Sequence, residues 1–174
     1  MKNFTILGIF LALFAISCEG PMGPAGFDGL DGADAEIGRT YEVDNVNFSV
    51  GANTVRFTFP KKIIDGDAVL VYRLEGVDGN LDIWEPLPTA TIFFDGGGFL
   101  QYRFNYTLGD VDIIIESDDL ASVGNEFTRN QVFRIMVIPS DLISGLDTSN
   151  MFNLMDQLGM DKKDFKTLDT RIIE

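Results

Sequence analysis

Leu100-Gln101-Tyr102-Arg103-Phe104-Asn105-Tyr106-Thr107 sets an apolar or aromatic side chain beside a polar one at every step. Successive side chains of a strand point to opposite faces, so a period of two describes a β-strand with one buried and one solvated face. Turn chemistry brackets it, Asp95-Gly96-Gly97-Gly98 before and Gly109-Asp110 after. Toward the C-terminus, residues 111–116 form a second strand; the polar stretch 117–130 then separates it from a last strand, 131–138, stopped by Pro139. Toward the N-terminus, Pro86 and Pro88 break the chain before a strand at 89–94, and Val77-Asp78-Gly79-Asn80 reads as a turn into a strand at 81–84. Ala68-Val69-Leu70-Val71-Tyr72-Arg73-Leu74 is apolar on both faces for much of its length. Finally, Val46, Phe48 and Val50 alternate with polar residues, as do Val55, Phe57 and Phe59, and Gly51-Ala52-Asn53 between them predicts a β-hairpin.

About eight short strands joined by turns, with no helix to carry a parallel crossover, argue for a mainly β fold. The expected architecture is an antiparallel β-sandwich or jelly-roll-like domain over residues 37–140, with a short C-terminal helix. In the tail, residues 141–174, Met151, Leu154, Met155 and Leu158 recur at i, i+3, i+4 and i+7, with Ser149 or Asn150 as cap and Gly159 as stop. That apolar stripe reads as a seam packed on the β domain. Asp161, with Asp164 three residues on, can cap a second short turn.

Residues 1–36 follow other rules. Lys2 is followed by an apolar run from Phe4 to Ile16, the length of a secretory leader and too short to span a bilayer as a helix. Its end, Ala15-Ile16-Ser17-Cys18, resembles the lipobox of bacterial lipoproteins, with Ala15 where leucine is commonest. The resemblance implies a signal peptide at 1–17, removed before Cys18, and acylation of that cysteine. One acyl chain holds weakly, at about 0.8 kcal/mol per buried methylene, whereas two or three on one residue give stable anchoring. From Gly20, glycine recurs every third residue, at Gly20, Gly23, Gly26, Gly29 and Gly32, with Pro21 and Pro24 in the second slots. This collagen-like run, within residues 18–36, is either a flexible tether or a stub of homotrimer about 45 Å long.

Composition narrows the chemistry. Twenty-seven acidic residues against 13 basic ones give the 174-residue chain a formal charge of -14, which repels phosphate backbones and makes nucleic acid a poor partner. With no histidine and with Cys18 as the lone cysteine, the commonest general base, intrachain disulfides and thiolate clusters are all absent. No phosphate loop or dinucleotide fingerprint occurs, no catalytic residue stands out, and no cofactor or metal is expected. Asp78-Gly79-Asn80-Leu81-Asp82 begins like a calcium loop, but Ile83 stands where glycine is required and Thr89 where glutamate is, so hairpin chemistry is the better reading. Asp65-Gly66-Asp67 and Ser117-Asp118-Asp119 share that ambiguity. Trp84, near two prolines at a sheet edge, could join Tyr102 and Tyr106 in a platform for sugar rings, although the tyrosines equally suit the core face of their strand.

The lipobox cysteine, the Glu19-Gly20-Pro21 start of the glycine repeat, and a β domain containing Trp84-Glu85-Pro86-Leu87-Pro88 and Asn130-Gln131-Val132-Phe133-Arg134-Ile135 together resemble the small collagen-like lipoproteins of Bacteroidetes. The resemblance implies a lipid-anchored protein of the cell envelope, at the outer membrane, held through Cys18, and it carries over no activity. The expected role is non-enzymatic, structural or in protein interaction with an envelope partner. The alternative is a surface module that binds glycan or another ligand for nutrient capture.

Overall fold

The computed structural model describes residues 38–168 together with the backbone of residues 171–172. The expected leader at 1–17, Cys18 and the five repeat glycines, Gly20, Gly23, Gly26, Gly29 and Gly32, lie outside the described residues. What is described is a mainly β domain of two sheets with two short helices.

The first sheet contains β1 (Arg39–Val46), β3 (Ala68–Asp78), β4 (Leu81–Pro86), β8 (Gln131–Ile138) and β9 (Lys166–Thr167), in the order β4-β3-β8-β1-β9. The second contains β2 (Thr54–Thr58), β5 (Ile92–Phe93), β6 (Phe99–Tyr106), β7 (Asp110–Ser117) and β10 (Arg171–Ile172), in the order β10-β2-β7-β6-β5. The two helices are α1 (Asn125–Thr128) and α2 (Met151–Gln157).

Strand periodicity sends alternate residues of both sheets into one hydrophobic cluster. Tyr41, Val43, Val71, Phe133 and Ile135 enter it from the first sheet, and Phe57, Leu100, Tyr102, Ile113 and Ile115 from the second. Tyr102 and Phe133 meet across it with ring centroids 6.1 Å apart, and Phe48 closes on both at 6.1 and 6.3 Å. Such ring pairs add about 0.5–1.5 kcal/mol each beyond their burial. At one end of this core Gln131 accepts a bond from Arg73 Nε at 2.9 Å and donates to the carbonyls of Glu126 and Arg129. The Tyr102 hydroxyl donates to the Phe127 carbonyl, so the α1 segment is hydrogen-bonded down onto the core.

A second cluster covers the opposite face of the first sheet, where Tyr72, Met136 and Ile138 pack with Met151, Leu154, Met155 and Leu158 of the tail. This accounts for the unbroken apolar run of β3 and for the near-complete burial of β8, each covered on both faces. Asn150 caps α2 by accepting from the amides of Phe152 and Asn153 at 3.0 and 3.1 Å, and Gly159 follows the helix with φ +64°. The turn Lys162–Asp164 carries a complete capping box between Asp161 and Asp164.

The predicted hairpin between 46–50 and 55–59 does not form. β1 pairs with β8 and β2 with β7, so the intervening loop carries the chain from one sheet to the other, with a single bridge between Ser49 and Ala52. Val46 and Phe48 enter the shared core, as do Val55, Phe57 and Phe59, while Val50 stands exposed, and period two cannot tell a hairpin from a crossing. The antiparallel expectation also fails at one place. β9 runs parallel to β1, because the tail returns along that edge after crossing the outer face of the sheet. Of the strand expected at 89–94, only Ile92–Phe93 pairs.

Candidate functional site

The hairpin β3–β4 turns at Gly79-Asn80, where Gly79 takes φ +61°, a left-handed conformation that favours glycine. Asp78-Gly79-Asn80 is therefore a hairpin turn. With 11 residues β3 is longer than its neighbour β8 with 8, and the register ends with Arg73 opposite Phe133. The hairpin tip thus projects beyond its own sheet. Apolar side chains on the projection stay in water: Leu81 is 73% exposed, Val77 59% and Ile83 43%.

Between this tip and the start of α2 lies a groove of about 500 Å³, walled on one side by Asp78, Leu81, Ile83 and Trp84 and on the other by residues Ser149 to Phe152. Phe152, one position off the buried stripe of α2, adds a ring that is 53% exposed. Two carboxylates line the groove, Asp78 and Asp82 on the hairpin, and Asp147 accepts from the amide of Ser149, a residue of the far wall, at 3.0 Å and from its hydroxyl at 2.6 Å. Those bonds hold the Asp147 carboxyl below its ordinary range. Lys162 faces Asp82 at 3.7 Å.

Behind the groove wall sits Arg134, 2% exposed by its side chain. Its guanidinium stacks between Trp84 at 4.1 Å and Phe165 at 4.5 Å, donates from Nε to Glu42 at 2.8 Å, and lies 3.9 Å from the sulfur of Met151. Trp84 and Met151 both line the groove, so this stack fixes the wall from behind. Among the described residues, Arg134 Nη2 and Trp84 Nε1 find no hydrogen-bond partner. Farther along β4, Glu85 stands 3.9 Å from Arg73. Loss of solvent, and then the charge of Glu75, raise its carboxyl above the ordinary value despite Arg73.

The three aromatic candidates are not brought together. Trp84 lies on the edge strand of the first sheet, packed against the tail cluster, with one ring face covered by Arg134. Tyr102 is buried in the core between the sheets, beneath the guanidinium of Arg73 at 4.5 Å. Tyr106 is partly exposed on β6 of the second sheet, stacked on Phe104. The remaining acidic clusters serve their loops. Asp118 accepts from the Phe99 amide, Asp119 from the Ser122 hydroxyl and Asp67 from the Ile64 amide. Among the described residues no group of three or more histidine, cysteine or acidic side chains is placed to hold a metal ion.

Comparison with protein-family models, curated proteins and solved structures returns no match.

Sequence reasoning passed over Leu81, Ile83, Val77 and Phe152. A signal existed for Phe152, an apolar residue off the helical stripe. None existed for the hairpin residues, whose alternation looks like that of any buried strand.

Proposed function

We propose that this chain is an exported lipoprotein of the cell envelope, anchored at the outer membrane through Cys18. In this reading the domain is a β-sandwich held on a short collagen-like tether, and its role is non-enzymatic, in interaction with another envelope protein. Support for the anchor comes from the sequence: one cysteine in the chain, placed where an apolar leader ends and a glycine repeat begins. Support for the sandwich comes from the single hydrophobic cluster fed by both sheets. The interaction role is carried by one observation, the groove edged by Leu81, Ile83 and Phe152, whose apolar side chains remain in water. Exposed apolar patches with polar rims mark interaction sites more often than chance.

Labelling cells with radioactive palmitate tests the anchor. The wild-type chain should incorporate label and fractionate with membranes, while Cys18→Ala should do neither. Equal labelling of the two chains would overturn the anchor.

A further inference from the structure

We infer that the groove takes an extended segment of a partner protein, added as a further strand along the free edge of β4 and carrying lysine or arginine among its apolar residues. This inference rests on the reading of the domain as a protein-interaction module. The four edge strands are unequal. Among the described residues, β5, β9 and β10 are two residues long, whereas β4 runs for six and pairs only with β3. Short edges are a standard protection against stray pairing, because an edge exposes unpaired amides and carbonyls. β4 lacks that protection and shows Leu81 and Ile83 to water beside the groove. In strand addition the open backbone supplies affinity and the adjoining apolar pocket supplies choice of sequence.

The rim decides the charge of the occupant. Asp78 and Asp82 line the groove and Asp147 bonds to its wall at Ser149, with Lys162 facing Asp82. A second copy of this chain, with its formal charge of -14, is repelled there. A basic apolar strand is attracted and held in register.

The test uses the full-length chain in detergent and two blocked peptides, one alternating lysine with valine and the other glutamate with valine. Trp84 is the only tryptophan and lines the groove, so its emission reports occupancy. The lysine peptide should shift that emission saturably and slow amide exchange along β4, and the glutamate peptide should do neither. Leu81→Ser with Phe152→Ser, both at exposed positions, should weaken the lysine peptide by roughly tenfold or more, with an unchanged circular dichroism spectrum. No saturable shift, an equal shift with the glutamate peptide, or indifference to the double substitution would overturn the inference. A saturable response to soluble xylan or dextran, with none to the lysine peptide, would overturn it in favour of a glycan site. All these outcomes are independent of palmitate incorporation at Cys18, so the anchor and the strand-addition site fail separately.

Discussion

The guanidinium of Arg134 lies 4.1 Å from the ring of Trp84 and 4.5 Å from that of Phe165, with Glu42 on its Nε. Removing a buried charge partner and removing volume are different injuries, and two substitutions separate them. Arg134→Ala leaves a gap between the rings and should lower stability by about 3–5 kcal/mol. Arg134→Met refills the gap, and the Glu42 side chain is 35% exposed, so water can take over its carboxylate. That variant should stay within about 1.5 kcal/mol of wild type in urea unfolding. Equal losses would mean that charge rather than packing holds the stack. Tyr72 gives a pH-dependent prediction. Its hydroxyl donates to the Thr148 carbonyl at 2.7 Å, and burial, followed by the charge of Asp147, pushes its pKa from 10.0 to about 12. The folded state then holds the proton more tightly than the unfolded one. Its stabilising effect is complete below pH 10.0 and is lost as pH rises through about 12. Tyr72→Phe should lower stability by about 1 kcal/mol at neutral pH and make the alkaline fall shallower. Urea midpoints measured across that range check both, with Tyr102, also raised to about 12, giving the residual fall.

At the scale of elements, helix α2 was legible down to its ends, because its stripe, cap and stop are all local features. Asn150→Ala removes the acceptor for two amides and should lower stability by about 1 kcal/mol, with Asn150→Asp restoring most of it. Gly159→Ala should lower stability by about 1 kcal/mol through backbone conformation alone, since φ is +64° and nothing lies within 4 Å of the added methyl. Thermal unfolding of the three variants tests these values. The β3–β4 hairpin was legible for the same reason, its turn residues being consecutive. The pairing of β1 and β2 was not, since their partners β8 and β7 lie far along the chain and nothing local selects them. Three short strands, β5, β9 and β10, take their places from neighbours rather than from propensity.

Across the whole molecule the tail acts as a third layer. It covers Tyr72, Met136 and Ile138 with α2, then runs beside β1, and β10 pairs with β2 in the other sheet. A chain ending at Ser140 would open that face of the first sheet to water. We expect it to bind a hydrophobic dye and to aggregate on light scattering; a soluble chain with one cooperative unfolding transition would show that the tail is an accessory.

The sequence by itself determined the class of the fold, its helix and most of its turns, because periodicity, caps and turn chemistry act over a few residues. It also holds the whole argument for the proposed anchor at Cys18, which rests on a resemblance to a short motif rather than on packing. Only the tertiary structure decided which strands share a sheet, that β3 and β8 are covered on both faces, and that Tyr102 is core while Leu81, Ile83 and Phe152 are not. Those outcomes depend on where distant segments meet, and an apolar side chain looks the same in the sequence whether a neighbour covers it or water does.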